Sequence, residues 1–292
     1  MNNETGENSM NKAQKPFPPE MRVIDRTFPG LSGDILVPFA IDELECGKVG
    51  QGELPLLHLW THRNAMVLGI RDGKLPHARE AMRDLSDRGV EAAVRHSGGA
   101  AVPLDGGVLN VSLVLPKPAG ALDFREDFRL MVRLLDACVR ACGLSLQQGE
   151  VEGSYCPGEF DLSIGGRKFC GIAQRRQTRA IAVQAFIVVE GSGEERVRRA
   201  QAFYRAAVGN GEEASSSVKG KKNPWYPEVR SGTVASLAES GLPGMTVEKF
   251  KALILSQLKE QGTVLRPGAE YGAFERERLR EIIAGIRRRY SV

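Results

Sequence analysis

The order of its apolar patterns constrains this chain more than any other feature. Short strand-like runs fill the first two thirds, and helical periods surround and follow them. Leu54 to Trp60 and Ala65 to Gly69 read as neighbouring strands, Val90 to Arg95 as a third, and Val108 to Leu115 and Ala180 to Glu190 as longer apolar ones. Gly106-Gly107 predicts a hairpin turn ahead of Val108. Pro76 in a first turn, Ala78, Met82 and Leu85 on one face and Gly89 as the stop predict a helix to Arg88. Other helices are expected after Pro38, with Ile41 and Leu44, and behind an Asp123–Glu126 capping signature that aligns Phe128, Met131, Leu135, Cys138, Val139 and Cys142. Glu194 to Val208, Ser231 to Ser240, Thr246 to Gln261 and Phe274 to Tyr290 also carry the helical period. Strands first, with helices around and after them, imply an α+β or mixed α/β layer fold.

With 292 residues and 42% hydrophobic side chains, the chain can bury one main domain with appendages. The polar residues 1–20 are expected to form a flexible tail, and Gly209 to Asn223 a loose linker. No run approaches the roughly 18 uninterrupted apolar residues of a membrane span, and the polar start lacks the apolar centre of an export signal, so a cytoplasmic location is expected. Lys and Arg exceed Asp and Glu by only 40 to 36, a net charge of +4 that is too mild for a nucleic-acid binder. There is no Walker-type loop, dinucleotide fingerprint, CxxC or HExxH, so neither a cofactor nor a metal is expected.

Chemistry is expected at Cys156. It lies in Gly153-Ser-Tyr-Cys-Pro-Gly158, a turn-rich segment that keeps a thiol out of the core. Phe160 to Ile164, two glycines and Arg167 onwards read as a hairpin whose register sets Lys168 opposite Ser163 and on the polar face with Asp161. A fold-back from that strand would bring the ammonium to the thiol, where it would favour thiolate. A solvated strand lysine is the alternative for Lys168, and Cys170 is a competing thiol.

These residues carry a family resemblance. Arg95-His-Ser-Gly-Gly-Ala-Ala-Val102 with Leu109-Asn110, Tyr155-Cys-Pro-Gly158, and Gly166-Arg-Lys-Phe-Cys-Gly-Ile-Ala-Gln174 resemble the lipoate-protein ligase and octanoyltransferase superfamily. Within it, Tyr155-Cys-Pro-Gly-Glu-Phe-Asp-Leu162 is most similar to the octanoyl-[GcvH]:protein N-octanoyltransferases. The resemblance implies a mixed sheet flanked by helices, as in biotin and lipoate protein ligases, with a catalytic domain over residues 40–240 and a C-terminal helical segment over 241–292. It implies Cys156 as acyl-thioester nucleophile and Lys168 as its activator and a contact of the acyl carbonyl. Arg95, Ser97, Gly98 and Gly99 would line the acyl tunnel, with Gly171 and Ala173 leaving room for an eight-carbon chain. The implied reaction moves octanoyl from a lysine of the glycine-cleavage H protein to lipoyl domains of 2-oxoacid dehydrogenase complexes. Such domains are commonly acidic, and Arg175, Arg176 and Arg179 could attract them. Octanoyl-acyl carrier protein as donor, ATP-dependent lipoate ligation and non-enzymatic lipoyl-domain binding are the rival readings.

Overall fold

The structure, a computed structural model, describes residues 17–117, 125–209 and 226–290. Asp123, residues 1–16 of the expected tail and nearly all of the expected linker lie outside them. The chain runs β1 (Glu20–Leu31), α1 (Val37–Val49), β2 (Leu56–His62), β3 (Asn64–Leu68), α2 (Ala78–Asp87), β4 (Glu91–Val94), β5 (Val102–Asp105), β6 (Val108–Pro116), α3 (Arg125–Ala141), β7 (Gln147–Gln148), β8 (Leu162–Ile164), β9 (Arg167–Arg176), β10 (Ala180–Val188), α4 (Gly193–Val208), α5 (Val247–Glu260), β11 (Val264–Pro267) and α6 (Ala273–Tyr290). This is the mixed sheet flanked by helices that the family resemblance implies. No helix among the described residues is long and apolar enough to cross a membrane.

Eight strands form one sheet in the order β11-β1-β2-β6-β10-β9-β8-β7, and β4-β3-β5 form a second. Alternation along β6 shows how the large sheet works. Leu109, Val111, Leu113 and Leu115 join the core under α3 and α5, among Leu130, Leu134, Phe250 and Ile254. The opposite face carries Val108, Asn110, Ser112 and Val114, and the two polar residues in that row mark where packing gives way to a cavity. The small sheet and α1 roof this second face, with Val67, Val102, Leu104 and Phe39 turned toward Trp60 and Phe186.

Three expectations need correction, and one strand is unexpected. Leu56–His62 and Asn64–Leu68 are successive strands, but they lie in different sheets. Gly106-Gly107 likewise turns the chain from the small sheet into the large one and closes no hairpin. There the Gly107 carbonyl accepts from Val189 and Glu190, and a Cβ at Gly107 would lie 2.5 Å from Glu190 O, so the turn serves the packing of the two sheets. Ser231 to Ser240 is not helical. Thr233 O accepts from Lys168 N and Ala235 N donates to Lys168 O, so main-chain pairing with β9 takes the groups a helix would use. Beyond the expected tail, Glu20–Leu31, for which the sequence suggests no element, is a strand lying parallel to both β2 and β11. Its charges hide the pattern because they are paired: Arg22 with Glu45 and Glu53, and Asp25 with Lys251.

Candidate active site

The two-residue turn at Gly165-Gly166 sets the register of β8 and β9, with Ser163 opposite Lys168 and Ile164 opposite Arg167, as the sequence predicts. A bulge follows, and Leu162 pairs with Cys170 instead of continuing in step. The bulge decides between the two thiols. Cys170 is fully buried in the core under α3, and burial pushes its thiol pKa well up. Gly171 and Ala173 face the cavity on the other side of the sheet.

Lys168 is no solvated lysine: it is fully buried. Its Nζ donates to Tyr155 O at 3.0 Å and Cys156 O at 2.6 Å and pairs with Asp161 Oδ2 at 2.8 Å, and it lies 5.2 Å from the centre of the Phe186 ring. Asp161 also accepts from Gly158 N at 3.0 Å. Residues 155 to 161 are therefore wrapped around one ammonium. Burial raises the Asp161 carboxyl to about 6 even though Lys168 pulls it down.

The wrapped turn holds Cys156 at φ 48°, the one non-glycine residue at positive φ among the described residues. A residue with a Cβ, followed by proline, resists that geometry, and such strain costs about 1–3 kcal/mol. The two carbonyl bonds from Lys168 fix it. Sγ is thereby aimed at the 95–100 loop, where Ala100 N donates to it at 3.2 Å and Arg95 Nη2 lies at 3.6 Å. Arg95, itself buried, shapes that loop by donating from Nε to Gly98 O, from Nη2 to Ala100 O and from Nη1 to Val67 O. Gly99 has φ 99°, and a Cβ there would overlap the Arg95 guanidinium and lie 2.8 Å from Sγ.

Behind Cys156 opens a cavity of about 410 Å³ lined by Arg95, Ser97, Gly98, Gly99, Gly171 and Ala173 among others. All eight residues singled out in the sequence therefore converge, seven of them on the cavity wall, Cys156 included, and Lys168 beneath the turn. Across its floor Trp60, Asn110, Phe186 and Gly171 stand abreast on four neighbouring strands. A Cβ at Gly171 would meet the Phe186 ring at 2.5 Å, so this glycine makes room for that ring. The next row holds Ser112, Gln184 and Ala173, and the buried Asp42 carboxylate accepts from Ser112 Oγ and Gln184 Nε2, both at 2.6 Å, and lies 2.8 Å from His58 Nδ1.

Several contributors had no sequence signal. Ala100 acts through its backbone. Tyr204 of α4 accepts from Ala101 N at 3.1 Å and donates to Asp72 at 3.0 Å, locking the loop from behind, yet in sequence it looks like any aromatic on an apolar helix face. His96 lies 2.9 Å from Glu43, which also binds Arg175. Burial alone would raise the Glu43 carboxyl, but His96 and Arg175 outweigh it and hold it at about 2.

The mixed sheet, its flanking helices and the cavity set on it give the chain a fold of the lipoate-ligase class. The chain superposes on a lipoate-protein ligase A bound with ATP with TM-score 0.67 at 20% identity, covering 91% of this chain and 94% of the other. It superposes on a chain of the bipartite lipoate protein ligase system of Thermoplasma acidophilum with TM-score 0.63 at 18% identity, covering 91% of each. Residues 34–259 match the lipoyl protein ligase A/B catalytic domain. The octanoyl-[GcvH]:protein N-octanoyltransferase of Bacillus velezensis is 39% identical over 83% of this chain and 82% of its own length, and that of Anoxybacillus flavithermus 40% identical over 85% and 86%. The chain belongs to the lipoyl protein ligase A/B catalytic domain family, on its octanoyl-[GcvH]:protein N-octanoyltransferase branch.

Proposed function

We propose that the chain is an amidotransferase that moves octanoyl from a lysine of the glycine-cleavage H protein to lysines of dehydrogenase lipoyl domains through an acyl-Cys156 intermediate. The observation that carries this reading is the position of Sγ, facing the Ala100 N–H and Arg95 at the mouth of a cavity walled by Phe39, Trp60, Val67 and Leu104. The names of the relatives supply the donor and the acyl group.

Sulfur attacks the amide carbonyl carbon, forming C–S. The C–N bond then breaks, and the lysine amine leaves carrying the proton the thiol gave up. In the second half an acceptor lysine amine attacks the thioester carbon, C–S breaks and the thiol regains a proton. Ala100 N–H and Arg95 hold charge on sulfur first and follow it to the carbonyl oxygen as the bond forms. Covalent catalysis is needed because the two lysines belong to different proteins that meet the enzyme in turn. The role assigned to Lys168 is to position Cys156, since its three donors go to Tyr155 O, Cys156 O and Asp161. The acyl chain lies along the row from Gly171 to Trp60, three strand spacings or roughly 14 Å. On this reading residues 40–240 carry the chemistry and residues 241–292 support it.

Incubation with octanoyl-H protein, without ATP or acyl carrier protein, should add one octanoyl mass at Cys156 and pass it to a lipoyl domain, and Cys156→Ala should do neither. Labelling by octanoyl-acyl carrier protein alone would replace the donor, and a strict ATP requirement would favour ligation.

A further inference from the structure

A second cavity, of about 470 Å³, abuts the first and shares Ser97, Gly98, Gly99 and Pro157 with it. It lies on the other side of the 97–100 loop and is walled by Ile70, Pro157, Tyr226 and Pro227, with the exposed Arg71 beside it. Its walls are firm: Tyr226 stacks on Tyr204 at 5.5 Å between centroids, and Asp72, which lines it, takes the Tyr204 hydroxyl. Where the two cavities meet, Ser97 is 2% exposed and its Oγ has no hydrogen-bond partner among the described residues. A buried hydroxyl without a partner is costly to keep, so this one points to a ligand group.

The reading of the first site leaves half of its substrate without a place. An acylated lysine has two arms at the amide, an acyl chain and a neutral four-carbon stem leading to a protein backbone. We propose, resting on the acyl-transfer reading above, that the second cavity takes the lysyl stem of the acylated partner protein while the acyl chain fills the first, with Ser97 Oγ hydrogen-bonded to the amide between them. Cys156 lines the acyl cavity next to Gly99 and Pro157, which line both cavities, so the nucleophile sits beside their junction, and the aliphatic and aromatic walls suit an uncharged stem. Exposed Gly98 and Gly99 give the partner's backbone access where the cavities join.

The test compares each variant with wild type on two octanoyl donors, one that carries the stem and one that does not: a protein bearing N6-octanoyl-lysine, an amide, and S-methyl thiooctanoate, a thioester whose leaving group is one carbon and one sulfur. Acylation of Cys156 is followed by intact mass. Ile70→Trp, which fills the second cavity, should lower kcat/KM for the protein donor by about tenfold or more, as steric exclusion from a fitted pocket does, and leave the methyl thioester within about twofold. Tyr226→Ala removes a wall instead of filling the space and should raise KM for the protein donor alone, which covers the case in which Ile70→Trp does not fold. Equal changes for both donors, or none, would overturn the stem assignment. If the wild-type enzyme accepts octanoyl from neither donor, it is the acyl-transfer reading that falls.

Discussion

At the scale of single residues, the site depends on one strained cysteine and on the atoms that hold it. Gly99 is the most exposed to substitution. Gly99→Ala should cut acylation of Cys156 by about a hundredfold, because the new Cβ meets both Sγ and Arg95 and displacements of that size near reacting atoms cost about that much. Intact mass against time measures it, and an unchanged circular dichroism spectrum separates displacement from unfolding. Asp161 gives a second expectation. Burial raises its carboxyl from 3.8 to about 6, so the folded chain holds this proton more tightly than the unfolded one does. Its stabilising effect is complete below about pH 4 and lost as pH rises through 6. The charged form is nevertheless the one that pairs with Lys168, so below about pH 6 the wrap around the ammonium loosens even as protonation of this carboxyl favours the folded chain. The carbon-13 shift of the Asp161 carboxyl should show a midpoint near 6, and a midpoint below about 5 would defeat the burial argument.

At the scale of elements, the row from Gly171 to Trp60 acts as a ruler, ended by the edge-to-face pair of Phe39 and Trp60 at 5.8 Å. Each buried CH2 contributes about 0.8 kcal/mol, so hexanoyl should be a poorer donor group than octanoyl by about fifteenfold in kcat/KM. Phe39→Ala should move the optimum toward ten carbons. A profile unchanged in the variant would show that the chain does not run toward α1. Elements also show what could be read beforehand. The β8–β9 register was legible because a two-residue glycine turn between alternating runs allows few pairings, so Ser163 faces Lys168. The bulge that turns Cys170 away from Lys168 leaves no mark in the pattern, because Phe-Cys-Gly-Ile suits either face. Gly106-Gly107 misled for the converse reason: a turn that reverses a strand and a turn that carries it into another sheet use the same residues. Ser231 to Ser240 has a helical period, but long-range pairing with Lys168 outcompetes it.

At the scale of the whole molecule, charge does less than the arginines of β9 suggest. Arg175 is paired with Glu43 and Arg176 with Asp127, and the net charge is only +4. KM for either protein partner is therefore expected to rise by no more than about threefold between 50 and 200 mM salt, and a steep dependence would restore electrostatic steering. The arrangement in space is less local. Arg95 and Ala100 reach Cys156 from about sixty residues upstream, and the main chain of Lys168 is held by Thr233 and Ala235 from further downstream. The nucleophile and the lysine under it are thus held by segments on either side of them in the sequence. During synthesis the thiol emerges with its upstream donors already made, but the main chain of Lys168 lacks its bonds to Thr233 and Ala235 until those residues have followed. A chain that stops short of residue 233 therefore lacks part of what holds the turn that aims the thiol.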